Sequence, residues 1–157
     1  MSLDAQSPAR PVSTAATPRL ARLRRGSLAV LVLVVVEYGI GMYVNLYVTI
    51  PRADHGRSVG SAIANGPTTL SIHVVIGLLL GLGAIGVLVQ AVIARHPGAI
   101  ASSAVGLFAL AFASATGASF TSSGQPADSM GMSVLTGAGL LCYAANLYVL
   151  RPPRQRG

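Results

Sequence analysis

The sequence predicts an all-α protein, a four-helix transmembrane bundle with both termini in the cytoplasm. The 157 residues are 52% hydrophobic and only 10% charged, whereas an ordinary soluble domain carries about 25% charged residues. Four separate apolar segments are each near the 20 or so residues that a spanning helix needs. The basic residues, all of them arginine, gather on one side of the predicted membrane. Each observation points to an integral membrane protein.

The predicted spans are set by apolar runs and by the prolines between them. Proline is tolerated at helix ends but breaks a helix interior, and Pro51, Pro67, Pro97 and Pro126 all fall between the runs. The segment before the first run is rich in Pro, Ser, Thr, Ala and Arg, a composition typical of a disordered tail. The expected organisation is a basic cytoplasmic tail over 1–26, a membrane domain over 27–150 with spans at 27–50, 69–93, 99–120 and 129–150, and a basic tail over 151–157.

The distribution of arginine predicts the orientation. Nine arginines lie in the two tails and the second connection, and two, Arg52 and Arg57, lie in the first connection. Cytoplasmic loops carry the excess of basic residues in membrane proteins, so the protein is expected to be multi-pass in the inner (plasma) membrane. Topology accounts for the positive charge, and the expected partner is the lipid bilayer rather than nucleic acid. A second copy or a membrane-complex partner remains open.

Five of the polar side chains inside the predicted spans are singled out as candidate functional residues. Glu37 is the only acidic residue within a span, and a charge near the bilayer centre costs roughly 2.5–3.5 kcal/mol on insertion scales. It is therefore expected to face the bundle interior, either as a proton- or cation-coupling site or as a neutral carboxyl bonded to a neighbouring helix. Depth counting favours Tyr143 as its partner. The five candidates are Glu37, Asn45, His73, Tyr143 and Asn146.

His73 lies about one turn inside the outer end of the second span. The same counting separates it from Glu37 by about 13 Å along the membrane normal, which predicts no direct hydrogen bond between them. The histidine is expected either to bond a polar neighbour such as Asn45 or to ligate a metal or haem. Met132 is the candidate second ligand because imidazole and thioether are both suitable donors. Met130 is about 200° away from Met132 on a helix and is predicted to face outward.

Other chemistry finds little support in the sequence. The single cysteine, Cys142, permits no intramolecular disulfide. No Ser/His/Asp, Cys/His or paired-carboxylate arrangement is recognisable, and the loop glycines match no phosphate-binding motif. A soluble type of hydrolytic enzyme is not expected.

Several stretches resemble known membrane proteins. "GMYVNLYVTIP" at the end of the first span, "IHVVIGLLLGLGAI" in the second, and "GASF" followed by "SMGM" resemble a group of small, uncharacterised four-helix bacterial membrane proteins. The chain is also similar to one four-helix half of haem A synthase, in which histidines near the outer ends of the second and fourth helices bind haem. His73 matches the first position, and Met132 stands where that family has the second histidine. This resemblance implies haem b as a cofactor.

A third likeness concerns the first span alone. Small multidrug-resistance transporters have four helices and an essential glutamate in the first helix, and Glu37 matches that feature. Three function hypotheses follow from the sequence. The chain is expected to be a small integral membrane protein of unassigned activity, as a subunit or accessory factor of a larger membrane assembly. The alternatives are a haem-binding membrane protein with His73 as axial ligand and a proton-coupled small transporter using Glu37.

Overall fold

Four long helices form the described part of the chain. The computed structural model describes residues 16–47, 60, 64 and 66–151. The helices are α1 (Ala16–Tyr47), α2 (Thr68–Ile93), α3 (Pro97–Ser123) and α4 (Pro126–Val149), and no strand occurs in these residues. The predicted all-α, four-helix architecture is confirmed.

The helices are arranged in a ring in the order of the chain. Helix α1 packs against α2 and α4, while α3 packs against α2 and, most extensively, against α4. Short connections make α2, α3 and α4 successively antiparallel. Ala94–His96 joins α2 to α3, where the His96 side chain caps α3 by accepting the Ala99 backbone N–H at 3.2 Å. Gly124 ends α3 in the left-handed conformation (φ 64°) that glycine adopts without steric cost.

Each helix presents one stripe of residues to the bundle axis, at alternating spacings of three and four. That 3.5-residue repeat is the seam of helices packed nearly antiparallel with interlocking side chains. All the residues of the stripes are buried or half-buried. Matching the four stripes in order along the bundle, with the close contacts of Gly41, Gly77, Gly106 and Gly139 as reference points, gives seven layers, each with one residue from every helix. From the end that carries most arginines, the layers are Leu23, Ala91, Ala99 and Leu150; Ser27, Val87, Ser103 and Asn146; Val30, Ala84, Gly106 and Tyr143; Val34, Leu80, Leu110 and Gly139; Glu37, Gly77, Ala113 and Thr136; Gly41, His73, Gly117 and Met132; and Val44, Leu70, Phe120 and Ser129.

The outer surface of the bundle is strongly apolar. All four helices are long and apolar enough to cross a membrane, and large side chains such as Leu78, Phe108 and Leu141 are about two-thirds exposed on the outside. Monomeric soluble proteins rarely expose continuous apolar surface on this scale. The exposed arginines of the described residues lie at one end of the bundle, which we call the arginine end. These features indicate a membrane protein.

The helix bounds differ from the predicted spans mainly in α1. This helix begins at Ala16 and not near Ser27, so residues 16–26 are helical rather than part of a disordered tail. Leu23 and Ser27 are fully buried against the other helices, and this packing extends the helix into a segment whose composition alone favours disorder. The other three spans agree with α2, α3 and α4 to within three residues at each end. Residues 1–15, most of the first connection and 152–157 lie outside the described residues.

Candidate functional site

Glu37 and His73 are in direct contact in the interior of the bundle. Nδ1 of His73 lies 2.9 Å from Oε1 of Glu37, which is ion-pair distance, although the approach does not have the direction of a hydrogen bond. The Glu37 side chain is 9% exposed and that of His73 is 20% exposed. The second carboxylate oxygen, Oε2, is buried and has no hydrogen-bond partner within the described chain.

The predicted separation of these two residues is therefore wrong. Counting from ends at Ile50 and Thr69 places Glu37 level with residue 82. In the structure a Cβ built at Gly77 would lie 3.0 Å from Oε1 of Glu37, so Glu37 is level with Gly77 and α2 is shifted by about 7.5 Å relative to that count. The remaining offset between Gly77 and His73 is one helical turn, about 6 Å, and two long side chains bridge it.

Glycines on the facing helices provide the space for this pair. A Cβ at Gly41 would lie 3.1 Å from Cε1 of His73, and a Cβ at Gly77 would lie 3.0 Å from Oε1 of Glu37. Each glycine of one helix thus faces the polar side chain of the other. Because α1 and α2 are antiparallel, the two contacts are one turn apart and mirror each other. Any larger residue at either glycine would displace the partner side chain.

A branched cavity surrounds the pair. Its two parts have volumes of about 280 and 440 Å³, and the larger part is in the range of small-molecule sites. Ten residues line both parts, which shows that they meet at the same centre; these are Glu37, Gly41, Asn45, His73, Gly77, Gly81, Ile85, Ala113, Ser114 and Met132. The walls are mostly glycine, alanine and apolar side chains. The ion pair is the one charged feature among these lining residues.

Met132 faces the same cavity from α4. A Cβ at Gly117 would lie 3.0 Å from its sulfur, so a third glycine again makes room for a functional side chain. His73 of α2 and Met132 of α4 occupy the same layer, and these two helices lie diagonally across the ring. Met130 is 70% exposed on the outer surface, which confirms the predicted divergence of the two methionines. No group of three His, Cys, Asp or Glu side chains suited to a metal ion occurs among the described residues.

The remaining predicted polar residues are placed elsewhere. Tyr143 is fully buried against Gly106, about one heptad toward the arginine end, so the predicted Glu37–Tyr143 partnership is wrong. Asn146 is also fully buried, and its Nδ2 donates to Ser103 Oγ at 2.8 Å. Asn45 is exposed beside the seam, and its Oδ1 accepts from Ser129 Oγ at 2.8 Å. These three belong to helix packing or to the cavity edge rather than to the ion pair.

Sequence reasoning identified the charged residues of the site but did not identify the residues that line and shape its cavity. Gly77, Gly81 and Thr136 line the cavity. The 3.5-residue repeat is a signal for Gly77 and Thr136, because aligning α2, α3 and α4 from their short connections places these two residues in one layer, whereas Gly81 lies outside the repeat. The long first connection leaves the position of Glu37 relative to that layer open. Comparison with known proteins finds no matching family model, curated protein or solved structure.

Proposed function

We propose that this chain is an integral protein of the inner (plasma) membrane that crosses it four times with both termini in the cytoplasm. The clustering of Arg19, Arg22, Arg24, Arg25, Arg95 and Arg151 at one end of the bundle supports this orientation. Basic residues are retained on the cytoplasmic side during insertion. The cavity then opens in the half of the bundle nearer the external face.

We propose further that the protein binds a small molecule in this cavity, with the Glu37–His73 pair as its polar anchor. The observation that carries the proposal is the free, buried Oε2 of Glu37 beside the cavity. An ionisable pair inside a membrane is expensive, and packing alone gives no reason to keep it, because apolar residues of similar volume are often as stable or more stable there. Binding of a ligand supplies that reason.

Native mass spectrometry of the protein extracted together with its surrounding lipid tests this proposal. Gly81 lines both parts of the cavity, and a Cβ there meets nothing within 4 Å, so Gly81→Leu fills the cavity without disturbing the backbone. Gly86→Leu is the matched control, because Gly86 lies on the same helix, also faces open space and is not among the cavity residues.

We expect wild type and Gly86→Leu to retain a bound small molecule of defined mass that Gly81→Leu lacks. Glu37→Gln is expected to reduce its occupancy, since the amide cannot form the ion pair with His73. Identical spectra for wild type and Gly81→Leu would exclude this cavity as the binding site.

Haem is a second candidate occupant, favoured by the placement of His73 and Met132 in one layer on diagonal helices around one cavity. Histidine with methionine is an established axial pair for haem iron, and a carboxylate on the other ring nitrogen is the usual orienting contact of a ligating histidine. Oxidised and dithionite-reduced absorption spectra of protein from haem-supplied cells test it. A Soret band lost in both His73→Ala and Met132→Leu supports haem, and a featureless wild-type spectrum rejects it.

A further inference from the structure

The free oxygen of Glu37 specifies what an occupant must supply. Oε2 is buried, and a buried acceptor without a donor carries a large desolvation penalty. Oε1 is already engaged by His73 at 2.9 Å. The missing contact is therefore a hydrogen-bond donor placed in the cavity beside Oε2.

The hydroxyl groups of serine and threonine on the cavity walls do not supply that donor. Each of the four hydroxyls bonds the backbone of its own helix. Ser114 donates to Leu110, Thr121 to Ala118, Ser133 to Ser129 and Thr136 to Met132, at 2.8 to 3.1 Å.

Two other polar side chains near the cavity are also unsuitable. Asn45 is two turns from Glu37 along α1, about 12 Å, and its amide oxygen is bound to Ser129. Tyr38 follows Glu37 directly in the helix, and neighbouring helical residues point about 100° apart. Its side chain is 39% exposed on the outer surface. The donor is left for the occupant to provide.

The cavity opens sideways between α2 and α3. Its larger part extends past Gly81 to Leu78 and Leu82 of α2, which are 67% and 60% exposed, and to Phe120 and Thr121 of α3. The rim on α2 is thus part of the apolar outer surface that would face lipid. A molecule dissolved in the bilayer can reach the ion pair through this opening without crossing a polar layer.

The charge of the site favours a neutral occupant. In the ion pair the opposite charges of the two side chains cancel, so the pair offers little to an isolated cation. The adjoining wall residues Gly77, Leu80 and Ala113 contribute no charge. A small apolar molecule with a single hydroxyl group would pack against the uncharged walls and donate a hydrogen bond to Oε2.

We propose that the ligand is a neutral, bilayer-dissolved alcohol or phenol that enters between α2 and α3 and donates its hydroxyl to Oε2 of Glu37. This inference rests on the proposed ligand-binding function and names its chemical class. A quinol is one molecule of this class. The competing possibility is that a water molecule alone donates to Oε2.

The test uses 4-(trifluoromethoxy)phenol and its methyl ether, which share shape and fluorine label but differ in the hydroxyl donor. Both are titrated into the full-length protein in lipid nanodiscs and followed by ¹⁹F NMR, with empty nanodiscs to subtract partitioning. Wild type, Gly81→Leu, the control Gly86→Leu and Glu37→Gln are compared.

We expect saturable binding of the phenol to wild type and Gly86→Leu, about tenfold or more tighter than binding of the ether, as a hydrogen bond to a charged acceptor implies. Gly81→Leu should abolish saturable binding, and Glu37→Gln should remove most of the preference for the phenol. Equal affinities for phenol and ether, or no saturable binding of either, would overturn the inference. If the native mass spectrum nevertheless shows a cavity ligand that Gly81→Leu loses, the binding function stands and only the ligand class is wrong.

Discussion

The two halves of the bundle consist of the same helices with the same 3.5-residue repeat, but one half is closely packed and the other encloses a cavity. In the packed half, which comprises the four layers from Leu23 to Val34, α3 and α4 approach closely. A Cβ at Gly106 would lie 3.0 Å from the Tyr143 ring, and one at Gly139 would lie 3.0 Å from Leu110. In the cavity half, the three layers from Glu37 to Val44, the same spacing leaves a cavity.

The difference lies in what each glycine faces. Gly106 and Gly139 face bulky side chains that fill the space completely, whereas Gly41 and Gly77 face a histidine and a glutamate that meet each other. Small residues permit close helix packing in lipid, but they do so only when the opposing residue completes the layer. Glycine content alone does not distinguish a tight interface from a binding site.

The largest loss of stability is expected from breaking the ion pair in the cavity half. His73→Leu leaves the Glu37 carboxylate buried without its partner, and such losses cost about 3–5 kcal/mol. The double variant Glu37→Leu/His73→Leu should recover most of that stability because neither charge remains. Reversible unfolding in mixed detergent micelles measures both. A double variant no more stable than His73→Leu would show that the pair is not the source of the cost.

Filling a glycine of the packed half should come next. Gly106→Leu places a side chain against Cε2 of Tyr143 and Cβ of Cys142, at 3.0 and 3.1 Å from its Cβ, and overpacking of this kind costs about 1–3 kcal/mol. Gly137→Leu is the control, because a Cβ there meets nothing within 4 Å. The same unfolding assay compares them, and equal stabilities would contradict the close α3–α4 contact.

A smaller effect is expected from the buried hydrogen bond of the packed half. Asn146→Leu removes the 2.8 Å bond to Ser103, and both residues are fully buried. Interhelical hydrogen bonds in membrane proteins contribute roughly 0.6–1.7 kcal/mol. Adding Ser103→Ala to Asn146→Leu should cost little more, since the bond is already lost. Additive losses would mean that the two side chains act independently.

The smallest expected effect is at the connection that joins α2 to α3. His96→Ala removes the side-chain acceptor for the Ala99 N–H, and lost N-caps cost about 0.5–2 kcal/mol, with the lower end expected at this half-exposed end. His96→Asn should restore most of the stability because asparagine is a favourable cap. Hydrogen exchange at the amide of Ala99 reports on this bond directly, and unchanged exchange in His96→Ala would rule out the cap.

The sequence was sufficient to predict the helices, but it was not sufficient to predict their positions relative to one another along the bundle axis. Apolar length and proline positions predicted α2, α3 and α4 closely, and the polar character of Tyr143 and Asn146 within the fourth span singled them out as candidates. The contact between Glu37 and His73 was missed because the height of α1 relative to α2 depends on packing at Leu23 and Ser27 and on a long connection whose length does not fix it. An error of about 7.5 Å, little more than one helical turn, in the relative height of α1 and α2 was enough to predict that these two contacting side chains lie apart.

The off-centre position of the ion pair makes the two ends of the bundle unequal. The seven layers run from Leu23 to Val44 of α1, 21 helical rises or about 31 Å, and the Glu37 layer lies about 10 Å from the end opposite the arginines. The four packed layers lie between the pair and the arginine end. A water-soluble reagent is therefore expected to approach the pair over about 10 Å from one end and over about 20 Å of closely packed helix from the other.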